Sequence, residues 1–206
     1  MPRRDRLADA RLYFVVDLRP HVVAIVEGAL AGGADVVQLR EKEASDDEIV
    51  AAGRCLRAIC ARRGALFVVN DRPELALACE ADGVHVGQED VAVAEARVVV
   101  GPDHLIGLST HSRAQIEAAG GADYISVGPV WETPTKLGRP GVGLDLVRFA
   151  AERAGVPFFA IGGINAANCA EVAAAGARRI AVVRAIADAP DPEAAARALR
   201  KAITRA

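Results

Sequence analysis

The 206 residues, 52% of them apolar, are enough to bury one substantial core and short for two. A formal net charge of −2 excludes global attraction to nucleic acid or to anionic lipid, so chemistry on charged substrates has to come from local clusters. Residues 1–11 are charged throughout and lack the apolar centre of a signal peptide, and no later stretch reaches membrane-spanning length; a cytoplasmic protein without nucleic-acid or membrane partners is expected.

Residues 1–10 read as a poorly ordered N-terminal extension. Beyond them, short β-branched runs recur at Tyr13–Asp17, Val36–Leu39, Leu66–Asn70, Gly83–Val86, Leu105–Ser109, Tyr124–Val127, Phe158–Ala160 and Arg179–Val183, each followed by an alanine-rich helical segment. Ser45-x-x-Glu48 and Ser112-x-x-Gln115 fit capping boxes, and Asp191-Pro192 fits an N-cap with proline at the first helical position. Gly32, Gly64, Gly120, Gly155 and Gly176 stand at helix ends.

A weak repeat supports the count. Gly33-Ala34-Asp35, Ala81-Asp82-Gly83, Gly121-Ala122-Asp123 and Gly176-Ala177-Arg178 each introduce an even-numbered strand, so a two-unit β/α module recurs four times. This points to a closed (β/α)8 TIM barrel forming a single domain over 1–206. An open doubly wound sheet would carry a glycine-rich fingerprint after its first strand, where Asp17-Leu18-Arg19-Pro20 stands instead. Cys55, Cys60, Cys79 and Cys169 have no zinc spacing and lie on apolar helix faces, which makes them reduced core residues.

In a parallel barrel the chemistry sits at the C-terminal ends of the strands. Strand 2 runs out through Gln38-Leu39-Arg40-Glu41-Lys42, strand 3 through Asn70-Asp71-Arg72, strand 4 through Gly87-Gln88-Glu89-Asp90 and strand 5 through Ser109-Thr110-His111-Ser112. Lysine is scarce, and two of the three, Lys42 and Lys136, fall at such ends. Gln38, Arg40 and Lys42 alternate and so share one side of an extended segment; a guanidinium fork beside a compact ammonium suits a diphosphate. Asp71 and Asp90 follow neighbouring strands, ~4.8 Å apart, and can share one divalent ion, magnesium being suited to one or two carboxylates plus phosphate oxygens. The competing reading makes each of them a helix cap. Asp46, Asp47 and Glu48 are explained by the helix dipole. The loop after strand 6 offers Thr133, Thr135, Lys136 and several glycines, the parts of an anion-gripping lid. Gly162, Gly163 and the backbone at Val183 lie where barrels hold a second anion. His85 is expected to point into the barrel as a hydrogen-bonded core histidine, and His111 lies near the site beside a helix cap.

Taken together, Gln38-Leu39-Arg40-Glu41-Lys42, Asn70-Asp71-Arg72, the run from Asp82 to Asp90, Ser109-Thr110-His111-Ser112 and Thr133-Pro134-Thr135-Lys136 closely resemble the thiamine-phosphate synthase family, in register over nearly the whole chain. The resemblance implies Mg2+-dependent condensation of 4-amino-5-hydroxymethyl-2-methylpyrimidine diphosphate with 4-methyl-5-(2-phosphoethyl)thiazole, giving thiamine phosphate and diphosphate. The substrate-binding set would be Gln38, Leu39, Arg40, Glu41, Lys42, Asn70, Ser109 and Lys136 for the pyrimidine diphosphate, with Thr133, Pro134, Thr135, Gly163, Val183 and Arg184 on the thiazole-phosphate side. Asp71 and Asp90 would hold magnesium. Arg40, Lys42, Lys136 and Ser109 would act on the departing diphosphate, with no nucleophilic side chain needed.

Three positions depart from the family pattern: Arg184 where serine is frequent, Trp131 where phenylalanine is common, and Asp17 where a threonine is frequent. Three rival functions remain, one of them a Schiff-base lysine aldolase that would use Lys136. A thiazole tautomerase would need no diphosphate and metal half, and a non-catalytic phosphate-ligand barrel would release no diphosphate. Alanine-rich outer helices are compatible with a monomer or a homodimer.

Overall fold

The structure is a computed structural model that describes residues 1–133 and 140–204. Eight parallel strands close into a barrel in sequence order: β1 (Leu12–Val16), β2 (Val36–Leu39), β3 (Leu66–Asn70), β4 (Gly83–Val86), β5 (Leu105–Thr110), β6 (Tyr124–Val127), β7 (Phe158–Ile161) and β8 (Ile180–Val182). Ten helices are formed among the described residues. They are α1 (Arg3–Asp9), α2 (Val22–Ala31), α3 (Asp46–Arg62), α4 (Pro73–Ala78), α5 (Val93–Val100), α6 (Arg113–Glu117), α7 (Gly143–Arg153), α8 (Cys169–Ala174), α9 (Arg184–Ala187) and α10 (Pro192–Thr204). The strands are buried along almost their whole length because helices cover one face and the barrel interior the other.

The two faces separate by alternation. Phe14, Val37, Leu39, Phe67, Val69, Val84 and Ile106 join the helices in the outer core. Tyr13, Val15, Val36, Leu66, Val68, Leu105, Tyr124 and Phe159 fill the interior. Moving up the strands, the inward positions turn from apolar to polar: Leu66 and Val68 give way to Asn70, Val36 to Gln38 and Leu105 to Ser109. The polar layer is therefore at the C-terminal mouth.

Residues 1–10 are not a loose extension. Residues 3–9 form α1, which seals the N-terminal end of the barrel, with Leu7 and Ala10 buried in the interior cluster. Three arginines hold it there: Arg3 Nε donates to Asp82 at 3.1 Å, Arg4 Nε to Asp123 at 2.7 Å and Arg6 to the Gly64 carbonyl at 3.1 Å. The charge that reads as solubility in the sequence is spent on carboxylates at the barrel floor.

Those carboxylates also explain the repeat. Asp35 accepts the Leu12 N–H of β1 at 2.9 Å, Asp82 the Phe67 N–H of β3 at 3.0 Å and Asp123 the Ile106 N–H of β5 at 2.8 Å. Each aspartate before an even strand thus latches the odd strand preceding it, and each is capped in turn by arginine: Arg200 on Asp35, Arg3 on Asp82, Arg97 on Asp123. The fourth module carries Arg178 at this place.

Ser45 forms the full capping box with Glu48, and Asp191 accepts the Ala194 N–H at 2.9 Å. Ser112 accepts the Gln115 N–H, but the Gln115 side chain turns to the His111 N–H, so that box is half formed. Cys60, Cys79 and Cys169 are buried as expected, whereas Cys55 is exposed, being on the solvent side of α3. Burial pushes the Cys60 thiol up to about 12. A thiol-directed alkylating reagent at neutral pH is accordingly expected to modify Cys55 first, with the other three reacting only on unfolding; equal native-state rates at Cys55 and Cys60, read by peptide mass mapping, would contradict the packing.

Candidate active site

A cavity of about 470 Å³ opens at the C-terminal mouth. Its walls include Gln38 and Arg40 from β2, Asn70 from β3, His85 from β4, Ser109 from β5, Ser126 from β6, Gly162 and Gly163 after β7, and Val183 and Arg184 after β8. Its floor is aromatic, with Tyr13, Tyr124 and Phe159 in edge or tilted contact at centroid distances of 5.2 to 5.9 Å. The combination, an apolar floor under convergent polar groups, suits a flat heteroaromatic ring carrying charged substituents.

Asp71 lies just beyond β3 in a left-handed conformation, φ 61°, which aspartate enters at lower cost than most non-glycine residues. The Asp71 N–H donates to the His85 carbonyl at 2.7 Å and the Arg72 N–H to the Asn70 carbonyl at 2.8 Å, fixing the turn. The turn brings the Asp71 carboxyl within hydrogen-bonding reach of Asp90, and Lys42 Nζ stands 3.5 Å from Asp71 Oδ2. Burial, then the adjacent Asp90 carboxyl, raise the Asp71 acid above the usual carboxylate range, while Lys42 works against them.

Neither aspartate caps a helix. The N-cap of α4 is Arg72 and that of α5 is Ala92, and Asp90 instead accepts the Gly87 N–H at 2.7 Å within its own loop. Two hard oxygen donors crowded together beside a cation-lined cavity fit a divalent ion that replaces their mutual repulsion with attraction. Among the described residues no third His, Cys, Asp or Glu completes a closed cage, which leaves coordination positions for water and phosphate oxygens, as magnesium favours.

Within the Gln38–Lys42 segment the roles divide. Gln38 and Arg40 face the cavity, but the Leu39 side chain is 1% exposed in the outer core, because alternation turns it towards the helices. Glu41 accepts the N–H groups of Leu18, Lys42 and Glu43 at 2.7 to 3.1 Å. The Glu43 N–H above all holds its carboxyl below the usual range. Glu41 therefore ties the loop after β1 to the loop after β2, and its carboxylate is engaged by backbone.

On the opposite wall, Gly162 has φ 104°, and a Cβ there would run into Pro129, so the loop after β7 can lie against the one after β6 only as glycine. Gly163, Val183, Arg184 and Ala185 line the cavity where β8 runs into the short helix α9, whose first turn is closed by the Ile186 N–H donating to the Val183 carbonyl at 3.2 Å. Thr133 lines the cavity too, while Pro134, Thr135 and Lys136 lie outside the described residues.

Arg184 does not stand alone at the rim. Its Nε is 3.0 Å from Asp188 Oδ2, and Arg19 bridges Asp188 at 2.7 Å to Asp17. Arg19 and then Arg184 hold the Asp188 acid below its usual range. Two of the sequence departures, Asp17 and Arg184, are thus parts of one charge chain linking the loops after β1 and β8.

His85 points inward, 7% exposed, as its alternation implies, yet it lines the cavity rather than a sealed core. Tyr13, Tyr124, Ser126, Phe159 and Asp188 also line it without having been singled out in the sequence. The available signal was phase: Tyr124 and Ser126 occupy the inward positions of β6, as Gln38 does on β2.

A family profile described as Thiamine monophosphate synthase matches residues 12–186. The thiamine-phosphate synthase of Acidothermus cellulolyticus is 53% identical over 197 residues, covering 92% of this chain and 93% of that protein. The one of Gloeobacter violaceus is 56% identical over 191 residues, covering 92% of this chain but only 56% of its own length. Among solved structures, the thiamine phosphate pyrophosphorylase from Pyrococcus furiosus superposes with a TM-score of 0.88 at 37% identity, covering 98% of both chains. With identity of this order spanning a barrel whose strand ends carry the expected residues, the chain belongs to the thiamine monophosphate synthase family and is a transferase of thiamine biosynthesis.

Proposed function

We propose that the cavity joins 4-amino-5-hydroxymethyl-2-methylpyrimidine diphosphate to 4-methyl-5-(2-phosphoethyl)thiazole, releasing diphosphate. The observation that carries this reading is the pairing of Asp71 and Asp90 with Lys42 at the rim, next in sequence to the cavity wall of Gln38, Arg40 and Asn70, with a separate glycine-lined wall opposite. The first wall suits a metal diphosphate and the second a monophosphate. A tautomerase would have no use for the first.

Asp71 and Asp90 would hold Mg2+, which supplies positive charge to the diphosphate when bound. Arg40 and Lys42 neutralise charge that grows on the diphosphate as its bond to the pyrimidine methylene breaks, joined by Lys136 from beyond the described residues. Gln38 and Asn70 orient the pyrimidine half over the aromatic floor, Ser109 acts on the diphosphate, and the thiazole nitrogen approaches the methylene from the wall of Thr133, Gly163 and Val183. The side chains position and stabilise; none forms a covalent bond.

The direct test incubates the purified protein with both compounds, with and without magnesium, and measures diphosphate and thiamine phosphate. Formation of both in equal amounts only with magnesium is expected, and no product above the metal-free control would overturn the proposal. The rim gives a second expectation. Asp188→Asn removes the charge that holds Arg184 and should lower KM for the thiazole phosphate a few-fold, since an exposed ion pair contributes up to about 1 kcal/mol, while leaving KM for the pyrimidine diphosphate unchanged. An unchanged or higher thiazole KM would show that Arg184 does not reach the phosphate.

A further inference from the structure

A continuous chain of hydrogen bonds crosses the floor of the cavity. Gln38 Nε2 donates to the Tyr13 hydroxyl at 2.8 Å, the Tyr13 and Tyr124 hydroxyls are 2.9 Å apart, and the Tyr124 hydroxyl is 3.2 Å from His85 Nδ1. On the other side of the ring, His85 Nε2 lies 3.0 Å from Ser109 Oγ. Ser126 Oγ stands 3.5 Å from both that Ser109 oxygen and His85 Nε2.

Five strands contribute six side chains, and one further inward position is vacated for them. Gly107 on β5 faces the pair, and a Cβ there would collide with both the Tyr124 ring and His85 Nδ1. A barrel interior that only needed filling would place a side chain at Gly107 and apolar residues around it.

The chain has a direction. With the Gln38 amide donating to Tyr13, the one order that gives both buried phenol protons an acceptor within this chain runs from Tyr13 to Tyr124 and from Tyr124 to His85 Nδ1. Burial drives both phenol groups up, so both keep their protons. His85 then accepts at Nδ1 and carries its hydrogen at Nε2, where it donates to Ser109. With its oxygen accepting from the His85 N–H at 3.0 Å, Ser109 has its own proton left for the cavity.

We propose that His85 is a positioning residue, held as the neutral Nε2–H tautomer by the Gln38–Tyr13–Tyr124 chain so that the Ser109 hydroxyl donates its proton to an oxygen of the substrate diphosphate. The proposal rests on the synthase reading for the identity of that acceptor. It explains why a polar chain is kept beneath an aromatic floor: it turns an ambivalent serine, able to donate or accept, towards donating to an anion.

Two measurements test it. In 15N-histidine NMR of the intact protein, with the His85 resonances identified by their loss in His85→Gln, hydrogen at Nε2 is expected at neutral pH, and hydrogen at Nδ1 would overturn the proposal. In kinetics, His85→Leu should lower kcat about tenfold, the order of one hydrogen bond to a charged group, with a smaller change in KM for the diphosphate. His85→Gln, which keeps an N–H near the Nε2 position, should recover part of the loss. His85→Leu combined with Ser109→Ala should be no slower than Ser109→Ala alone, because the two act through one proton. Additive losses would overturn the proposal. If His85→Leu fails to fold, Tyr124→Phe, nearly equal in volume, takes its place: a several-fold fall in kcat with a shifted His85 tautomer is expected, and no change in either would overturn it. A wild-type protein that made no thiamine phosphate would sink the synthase reading, while the tautomer would still decide whether the chain runs as described.

Discussion

Asp90→Ala is expected to lower turnover by about two to three orders of magnitude, the usual loss when a principal electrostatic stabiliser of developing charge is removed, and to abolish the dependence of the residual rate on magnesium. The alternative role for Asp90 is visible in the structure, since its Oδ2 accepts the Gly87 N–H at 2.7 Å. Asp90→Asn separates the two. Its amide oxygen preserves the loop contact but removes the negative charge, so it should be nearly as slow as Asp90→Ala if the charge matters. Full activity of Asp90→Asn would reduce Asp90 to a loop tie. Both variants should retain the wild-type circular dichroism spectrum, because the residue is exposed on the mouth rather than part of the core.

The second large effect lies at the other end of the barrel and touches stability alone. Asp82→Ala is expected to cost about 3 kcal/mol, the lower end of the range for breaking a buried ion pair, because the arginines around it keep some contact with water. The carboxylate is 2% exposed and serves Arg3, Arg6 and Arg57 as well as the Phe67 N–H. Its removal leaves a buried strand N–H without its acceptor and three cations without their counter-charge. For a chain of this size the cost corresponds to a fall in Tm of roughly 6 to 12 °C. Asp82→Asn keeps an acceptor for Phe67 and should lose about half as much. A Tm within 2 °C of wild type for Asp82→Ala, a bound set roughly by that same scaling, would mean the floor carboxylate is not a structural centre. Turnover per folded molecule should be unchanged, since Asp82 is at the end of the barrel opposite the cavity.

How far the fold and site could be read from the residues depended on whether a residue's partner is near in sequence or across the barrel. The strands were legible because each is a short β-branched run between glycines and capping residues, and only the ends shifted, with β1 stopping at Val16 and β5 running on to Thr110. The strand-end clusters were legible because a parallel barrel sends every strand's C-terminal end to one mouth. Leu39 stands in the expected binding set with its side chain turned to the helices, because a contiguous motif hides the alternation that sends every second residue outwards. The N-terminal helix was missed for a different reason. Arg3, Arg4 and Arg6 find their acceptors at Asp82, Asp123 and Gly64, more than fifty residues away, and no local pattern announces such pairs. Tyr13 and Tyr124 share that difficulty, being 111 positions apart and joined only when the barrel closes.

The aspartate latches described above leave one quarter of the barrel different from the rest. Where Asp35, Asp82 and Asp123 fasten β1, β3 and β5, the fourth module has Arg178, which cannot accept an N–H, and β7 and β8 are paired at two positions where β1 and β2 are paired at four. The ring is therefore closed by three fastened pairs and one that depends on packing and a short ladder. Opening fluctuations should concentrate in that last pair, which carries Gly162, Gly163 and Val183. The wall assigned to the monophosphate is built on the barrel's most yielding segment, so a ligand seated there would stiffen the protein as it binds, whereas the diphosphate wall stands on strands already fastened before any ligand arrives.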